Sequence, residues 1–289
     1  MEKPTKPRGF DALAAGRAFV DLSPRRVVRV TGADARTWLG DLLTADIAGL
    51  APGRATRSFL LAPTGHIRAE VMVACHDDGF LLVQDPAQPH AIDLLLAPYR
   101  LSSDVALEDR SDAVAVFAFP GQPAPSGEER HRPSILGEGM EAVVPADRVP
   151  AFRERCRQAG LEEAGADAVE RWRIEGGVPR FPLDLTPGSL PHEAGLDEAI
   201  DRDKGCFLGQ EAVARVHNLG HPPFVVLPVR GAGAVRPGDR VVAGGEDVGA
   251  VTSATPTDGG GSAAIVRIRW AARGEAMATA AGVALSPAG

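Results

Sequence analysis

Short stretches of β-favouring residues fill residues 223–289, separated by Gly, Pro and Asp and with no helical pattern between them. In the run from Val266 to Trp270, apolar and basic residues alternate, which indicates a strand with one buried face. The strands are predicted at Val225–Arg230, Asp239–Val242, Val248–Thr252, Ile265–Trp270 and Met277–Ala284. Several short strands at this spacing predict a small antiparallel β-barrel at the C-terminus.

The chain before residue 223 mixes helical and strand patterns without strict alternation, which favours an α+β architecture in layers. A meander of strands is predicted at Ala55–Leu61, Ile67–Ala74 and Gly79–Gln84, and helices at Asp34–Leu43, Gln88–Pro98, Ala146–Gln158 and Ala166–Ile174. Residues 1–17 are predicted to be a mobile N-terminal arm. Residues 18–222 are expected to form one region of two lobes, with a Pro/Gly-rich, charged internal loop at about 120–139.

Composition limits the class of protein. A chain of 289 residues with a net charge of −7 is long enough for two or three domains and lacks the excess of basic residues of a general nucleic-acid binder. Its three cysteines fit a reduced cytoplasm better than a disulfide-stapled secreted protein. There is neither a signal-peptide pattern nor an apolar run of membrane-spanning length. We therefore expect a cytoplasmic protein, and a monomer because no long apolar seam stands out.

The segment from Asp203 to Glu211, called the thiol segment below, places Cys206 two residues after Lys204. Gly209 and Gln210 then begin a predicted helix that continues to His217. A cysteine near a helix N-terminus and beside a lysine has its thiolate favoured by both fields, which would make it a better nucleophile. The alternative is that Cys206 is a small buried hydrophobe in a turn where Gly209 supplies an unusual φ.

The other cysteines and the histidines give weaker signals. Cys206, His217 and His221 are scattered and include no Cys-x-x-Cys pair, so we predict no metal site. Cys75, before a hairpin turn, and Cys156, within a charged helix, are expected to be structural.

Four segments of the second half carry a family resemblance. Residues 173–179, Arg-Ile-Glu-Gly-Gly-Val-Pro, resemble the Arg-x-Glu-x-Gly-x-Pro segment of the glycine cleavage T-protein superfamily, and 190–196 resemble its Leu-Pro-x-Glu-Ala-Gly-Leu. The thiol segment, continuing to Arg215, is similar to the signature of the YgfZ-type folate-binding proteins in that superfamily. Residues 249–254 resemble the Gly-x-Val-Thr-Ser strand of its C-terminal barrel. Looser matches at 30–34, 42–47 and 63–67 extend the resemblance over nearly the whole chain.

This resemblance implies a three-lobed T-protein-like fold around a central channel for tetrahydrofolate or a one-carbon derivative, closed by the barrel at 223–289. It also implies a role in assembling or repairing iron–sulfur proteins and, through client enzymes, in tRNA modification. The expected partners are folate and iron–sulfur client proteins, with no direct nucleic-acid or membrane contact.

Glu175 matches the superfamily glutamate that holds the pterin ring of folate. A carboxylate can accept two N–H bonds from the 2-amino-pyrimidinone edge of that ring. The alternative is a helix-end carboxylate that pairs with Arg171 or Arg173. Glu193 and Asp184 could line the channel, or could serve only in loop hydrogen bonds.

On the helix after the thiol segment, Arg215 either faces the channel and meets the glutamate tail of folate or pairs with Glu211 one turn away. Gln210, at the start of that helix, is a further candidate for a folate contact. Cys206 and Lys204 are the candidates for catalysis, as a thiol or one-carbon exchange near the folate.

The rival function is that of an aminomethyltransferase, which passes a one-carbon unit to tetrahydrofolate. In the superfamily an aspartate of an Asp-Asp pair assists that reaction. Here Ala69 and Glu70 occupy the places of the pair, and the longer glutamate changes the reach of the carboxylate. T-proteins also lack the cysteine that Cys206 supplies. We therefore do not expect a working glycine cleavage aminomethyltransferase. A non-catalytic folate-binding scaffold is the third alternative.

Overall fold

The computed structural model describes residues 6–121, 123–137, 139–196 and 199–288. Its helices are α1 Phe10–Ala14, α2 Ala35–Leu42, α3 Ile92–Leu96, α4 Val149–Gln158, α5 Ala166–Glu175 and α6 Gln210–Leu219. Its strands are β1 Ala18–Asp21, β2 Arg26–Thr31, β3 Ala55–Leu61, β4 Ile67–His76, β5 Gly79–Gln84, β6 Ala106–Asp109, β7 Val114–Phe119, β8 Glu129–His131, β9 Met140–Pro145, β10 Glu162–Ala164, β11 Phe224–Gly231, β12 Arg240–Ala243, β13 Glu246–Pro256, β14 Ser262–Arg269, β15 Met277–Thr279 and β16 Ala284–Pro287. The mixture confirms the predicted α+β class.

Two five-stranded sheets pack face to face in the first two thirds of the chain. The first sheet has the order β3-β4-β5-β2-β6, and the second has the order β10-β1-β7-β9-β8. Met72 and Val83 of the first sheet share one buried core with Val20 and Val116 of the second. Helices α2 and α3 pack on the outer face of the first sheet, and α4 packs on the outer face of the second. Each sheet thus buries both faces.

The C-terminal strands close into a six-stranded barrel in the order β11-β14-β13-β12-β15-β16. Strand β11 completes it by pairing antiparallel with both β14 and β16. Val241, Val266 and Ile268 are among the residues of its core. The predicted barrel is confirmed, although the strand predicted at Met277–Ala284 is two short strands, β15 and β16, joined by a turn.

The N-terminal residues differ from the predicted mobile arm. Residues 1–5 of that arm lie outside the described residues, but α1 follows, with Phe10, Ala12 and Leu13 buried. The guanidinium of Arg171 lies 4.1 Å from the centre of the Phe10 ring. The arm is fixed because its apolar residues find a core against α5, which composition alone does not show.

The internal loop predicted at about 120–139 also contains regular structure. Strand β8 pairs antiparallel with β9 at the edge of the second sheet. The buried His131 of β8 bonds through Nε2 to the Glu141 carboxylate at 3.1 Å. Glu141 also accepts hydrogen bonds from Ser134 Oγ and from the Ile135 N–H, so it anchors the loop that follows β8.

An irregular segment, residues 176–209, connects α5 to α6 and fills the space between the first sheet and the barrel. Its Phe181 and Leu185 are buried with Phe59 of β3 and Ile265 of β14. The segment therefore joins the three lobes, and the candidate site lies along it. Among the described residues, no helix is both long enough and apolar enough to cross a membrane.

Candidate functional site

A cavity opens where the first sheet, the loop after β8 and the start of the irregular segment meet. It consists of two adjoining hollows that share Arg57, Met72, Ile135, Val178 and Pro179. Its inner part is also lined by Arg25, Glu70, Val71, Val83, Asp85, Gln88, Leu136, Arg173 and Arg180. We call this space the central cavity. Convergent charged groups beside apolar side chains make this space a candidate small-molecule site.

Glu70 is the buried carboxylate of the central cavity, with a residue exposure of 5%. It comes from β4, and its carboxylate pairs with the guanidinium of Arg57 on the neighbouring strand β3. Its Oε2 accepts the backbone N–H of Phe181 at 3.3 Å. Arg57 also donates to the Pro179 carbonyl at 2.9 Å, which ties the sheet to the irregular segment. Arg57 thus occupies Oε1, whereas Oε2 accepts the Phe181 N–H and keeps a lone pair for a further donor.

Behind the cavity wall, Asp184 is completely buried and joins three parts of the fold. It accepts from Arg173 Nη1 of α5 at 2.8 Å and from the Arg180 N–H at 3.0 Å. The hydroxyls of Thr252 and Ser253, in the Gly-x-Val-Thr-Ser strand, each donate to Asp184 Oδ1 at 2.6 Å. This network holds two cavity-lining residues, Arg173 and Arg180, against the barrel.

Glu175 and Glu193 lie near this region in other roles. Glu175 ends α5 on the face that carries Arg171, and Arg171 Nε donates to it at 2.8 Å. Glu193 is buried, accepting from the Leu190 N–H at 3.1 Å and from Arg267 Nε at 2.7 Å. Among the described residues, the set that lines the central cavity contains neither carboxylate. Their predicted contacts with folate stay predictions.

The thiol segment lies on a different part of the surface. Cys206 is exposed, whereas Cys75 and Cys156 are buried free thiols. Cys206 shares a shallow hollow with Lys204 and the end of α2, and no described residue of that hollow also lines the central cavity. The interpretation of Cys206 as a buried hydrophobe is therefore wrong. Cys206 lies apart from the central cavity, and its predicted part in a thiol or one-carbon exchange stays a prediction.

The amine of Lys204 is held by the end of helix α2. Its Nζ donates to the carbonyls of Gly40 at 2.6 Å and Ala45 at 2.9 Å, and to the carbonyl of Leu43. Cations at helix C-termini stabilise the last carbonyl groups in this way. Burial lowers the pKa of Lys204 to about 8, against the opposing effect of Asp201 and other nearby carboxylates.

The turn that ends the thiol segment depends on Gly209. Its φ is +85°, and a Cβ added there would lie 2.7 Å from the Ala62 carbonyl oxygen, so the predicted need for glycine agrees with the geometry. Gln210 then begins α6, with its N–H donating to the Phe207 carbonyl at 3.1 Å. Arg215 is exposed and meets Glu211 at 3.5 Å, which is the helical pair that the sequence left as an alternative.

Among the described residues, no group of three or more His, Cys, Asp and Glu side chains is arranged to hold a metal ion.

These features define an α+β protein of two sandwiched sheets and a closed barrel, with a central cavity lined by the first sheet, the loop after β8, α5 and the irregular segment. A crystal structure of the glycine cleavage system aminomethyltransferase T from Bartonella henselae has the same fold, with a TM-score of 0.83 over 96% of this chain and 87% of that chain at 22% identity.

Sequence comparisons also find similarity to aminomethyltransferases. Residues 8–126 match the GCVT N-terminal domain. An aminomethyltransferase of Chromobacterium violaceum is 29% identical over 265 residues, covering 81% of this chain and 73% of that protein. One of Rubrobacter xylanophilus is 28% identical over 278 residues, covering 85% and 74%. The matched domain and the shared fold support the glycine cleavage T-protein superfamily. The narrower YgfZ-type assignment stays a prediction, since these relatives carry the name aminomethyltransferase.

The sequence points to Glu70 only through the family resemblance, and it gives no sign of the neighbouring residues that hold Glu70. Arg57 is one of three consecutive polar residues on β3, and Gln88 lies in a region predicted to be helical. Neither residue carries a motif. Their roles depend on which strands become neighbours, and a single sequence does not contain that information.

Proposed function

We propose that this protein binds tetrahydrofolate, or a one-carbon derivative of it, in the central cavity. The observation that carries the proposal is the buried carboxylate of Glu70 on the cavity wall. The pterin ring of a reduced folate presents N–H donors on one edge, and the lone pair left on Oε2 of Glu70 is an acceptor for one of them. Arg57 holds Oε1 and so fixes the direction in which the carboxylate points.

Side chains near Glu70 suit parts of a folate molecule, and the adjoining hollow, about 450 Å³, offers more room than the hollow at Glu70, about 50 Å³. Met72, Val83 and Leu136 supply apolar surface for the flat rings. Arg25 and Arg180 flank Asp85 at 3.4 and 3.7 Å, where their guanidinium groups could meet the carboxylates of the glutamate tail. In this arrangement Glu70, rather than Glu175, is the proposed acceptor for the pterin ring.

A titration with tetrahydrofolate tests the proposal. The unmodified protein should bind in a saturable manner, and Glu70→Gln should weaken binding at least about tenfold, because a hydrogen bond to a charged acceptor is stronger than one to a neutral amide. Glu211→Gln, an exposed change on α6, is the matched control and should leave the dissociation constant unchanged. Absence of binding, or unchanged binding by Glu70→Gln, would overturn the proposal.

Aminomethyl transfer is the activity that the comparisons favour, because the relatives named above are aminomethyltransferases and the shared fold is that of one. This activity requires another pose, in which the reacting nitrogen of the folate rather than the pyrimidinone edge faces Glu70, so that its carboxylate assists proton movement while Ala69 removes its neighbour. An assay with an aminomethylated carrier protein and tetrahydrofolate measures this directly. Robust turnover that Glu70→Gln abolishes would establish it.

Support of iron–sulfur proteins, and through them of tRNA modification, is the second candidate. Its observation is the exposed thiol of Cys206 in a Lys-Gly-Cys motif outside the cavity, where a partner protein can reach it. In cells that carry Cys206→Ser in place of the unmodified chain, the activity of iron–sulfur client enzymes should fall. Unchanged client activity would remove this candidate while leaving folate binding untouched.

A further inference from the structure

Strand β5 leaves β4 before the ladder between them reaches Glu70. The ladder ends at the pair Met72–Val83, and the same register continued by two residues would place Asp85 opposite Glu70. The chain turns away there instead. The N–H and C=O of Glu70 on that edge therefore lose their strand partner at a buried position, where unpaired backbone groups are costly.

The side chain of Gln88 takes the place of the missing strand residue. Its Nε2 donates to the Glu70 carbonyl at 2.8 Å, and its Oε1 accepts the Glu70 N–H at 3.0 Å. Gln84 Nε2 donates to the same Oε1 at 3.1 Å, and Gln84 also donates to the His90 carbonyl at 3.0 Å. These contacts fix the orientation of the Gln88 amide, which is only 3% exposed.

We propose that Gln88 is a positioning residue that holds the backbone of Glu70 in place and so keeps the carboxylate aimed at the ligand in the central cavity. The inference rests on the proposed binding of folate by Glu70. Arg57 and the Phe181 N–H hold only the carboxylate, whereas Gln88 holds both backbone groups of the residue. Without Gln88, the N–H and C=O of Glu70 would need hydrogen bonds from water in the cavity. The backbone that carries the carboxylate would then no longer be held in one position.

Two substitutions of Gln88 test this role in titrations with tetrahydrofolate. Gln88→Met keeps the length and removes both hydrogen bonds, so the dissociation constant should rise about tenfold. Gln88→Asn keeps an amide that can both donate and accept but is one methylene shorter, so its effect should be smaller. It also preserves a polar side chain in case the methionine variant does not fold.

Two further measurements show whether Gln88→Met weakens binding by misplacing Glu70 or by a general loss of structure. In a Glu70→Gln background, Gln88→Met should weaken binding by much less than tenfold, because the carboxylate that Gln88 positions is already gone. Competition by p-aminobenzoylglutamate, a folate fragment without the pterin ring, should be unchanged by Gln88→Met. Ser262→Ala is the matched structural control, since its hydroxyl also bridges two backbone groups, the Val235 N–H and the Gly233 carbonyl, but in the barrel.

The outcomes are distinguishable. If the unmodified protein does not bind tetrahydrofolate, the proposed function is wrong and the positioning role falls with it. If the unmodified protein binds and Gln88→Met binds equally well, or loses the fragment as strongly as tetrahydrofolate, the positioning role alone is overturned. Selective loss of tetrahydrofolate, with Ser262→Ala unaffected, supports it.

Discussion

The central cavity and the thiol segment differ in how far their candidate functional groups are exposed to solvent. In the cavity, Glu70 and Arg173 are buried and each is held by several partners from different lobes. In the thiol segment, Cys206 is exposed, and the amine beside it is used to cap the end of α2. The motif that is most conspicuous in the sequence is thus separate from the central cavity. The exposed thiol and the proposed ligand site lie on different surfaces.

The largest effect is expected at the cavity wall, from Asp184→Ala. The substitution leaves Arg173 as a buried charge without that partner and removes four hydrogen bonds, three of which join the irregular segment to α5 and the barrel. Loss of one partner of a buried ion pair typically costs about 3–5 kcal/mol of unfolding free energy. Denaturant unfolding measures the loss, and folate affinity should fall with it.

Asp258→Ala is the matched control for that experiment. Asp258 also accepts from an α5 arginine, Arg171, at 2.9 Å, but its side chain is half exposed. Its loss should be much smaller because water replaces the lost partner. Equal destabilisation by the two substitutions would contradict the contrast between buried and exposed pairs.

The next effect concerns Lys204 in the thiol segment. Burial lowers its pKa from 10.5 to about 8, so the neutral amine that reacts with acylating reagents should appear as the pH rises through about 8. The interaction of Lys6 with Asp11 and Asp258 raises the pKa of that lysine instead. Mass spectrometry after brief acetylation across a pH series should therefore show Lys204 modified well before Lys6. The reverse order would show that the α2 carbonyls keep Lys204 charged.

The sequence predicts some of the secondary-structure elements and misses others. The barrel and the meander β3–β5 were predicted because alternation and hairpin turns are local signals. Strands β8 and β10 were missed, since each has three residues and exists only through pairing with a distant strand, β9 or β1. The helix α1 was missed because its burial against α5 is a tertiary contact.

The candidate site shows the same limit. Glu70 was found because a resemblance gave its position a role, whereas Gln88 was not, since its hydrogen bonds replace a strand that ends early. The exposure of Cys206 was left open by sequence, because a small apolar-flanked thiol is compatible with either burial or reactivity.

A smaller effect on stability is expected from Cys206→Ser. A thiol-specific reagent should modify one thiol rapidly in the native protein, because Cys206 is exposed and burial raises the pKa of Cys156 to about 11. The substitution should abolish that rapid reaction while changing the unfolding free energy by less than about 0.5 kcal/mol, as for most surface changes. It should also leave the dissociation constant for tetrahydrofolate unchanged. Weaker binding would place the thiol within reach of the ligand after all.

The smallest effect is expected from Arg215→Ala on α6. The side chain of Arg215 is 72% exposed and meets Glu211 at 3.5 Å, a pair whose contribution to stability is about 0.3–0.5 kcal/mol. The same residue was predicted to reach the glutamate tail of folate, and that contact would require it to leave Glu211. Titrations with mono- and polyglutamylated tetrahydrofolate separate the alternatives. Equal affinities before and after the substitution leave Arg215 as a surface residue. Selective loss of the polyglutamylated form would instead mean that the tail extends from the central cavity to α6, and the two regions would then belong to one site.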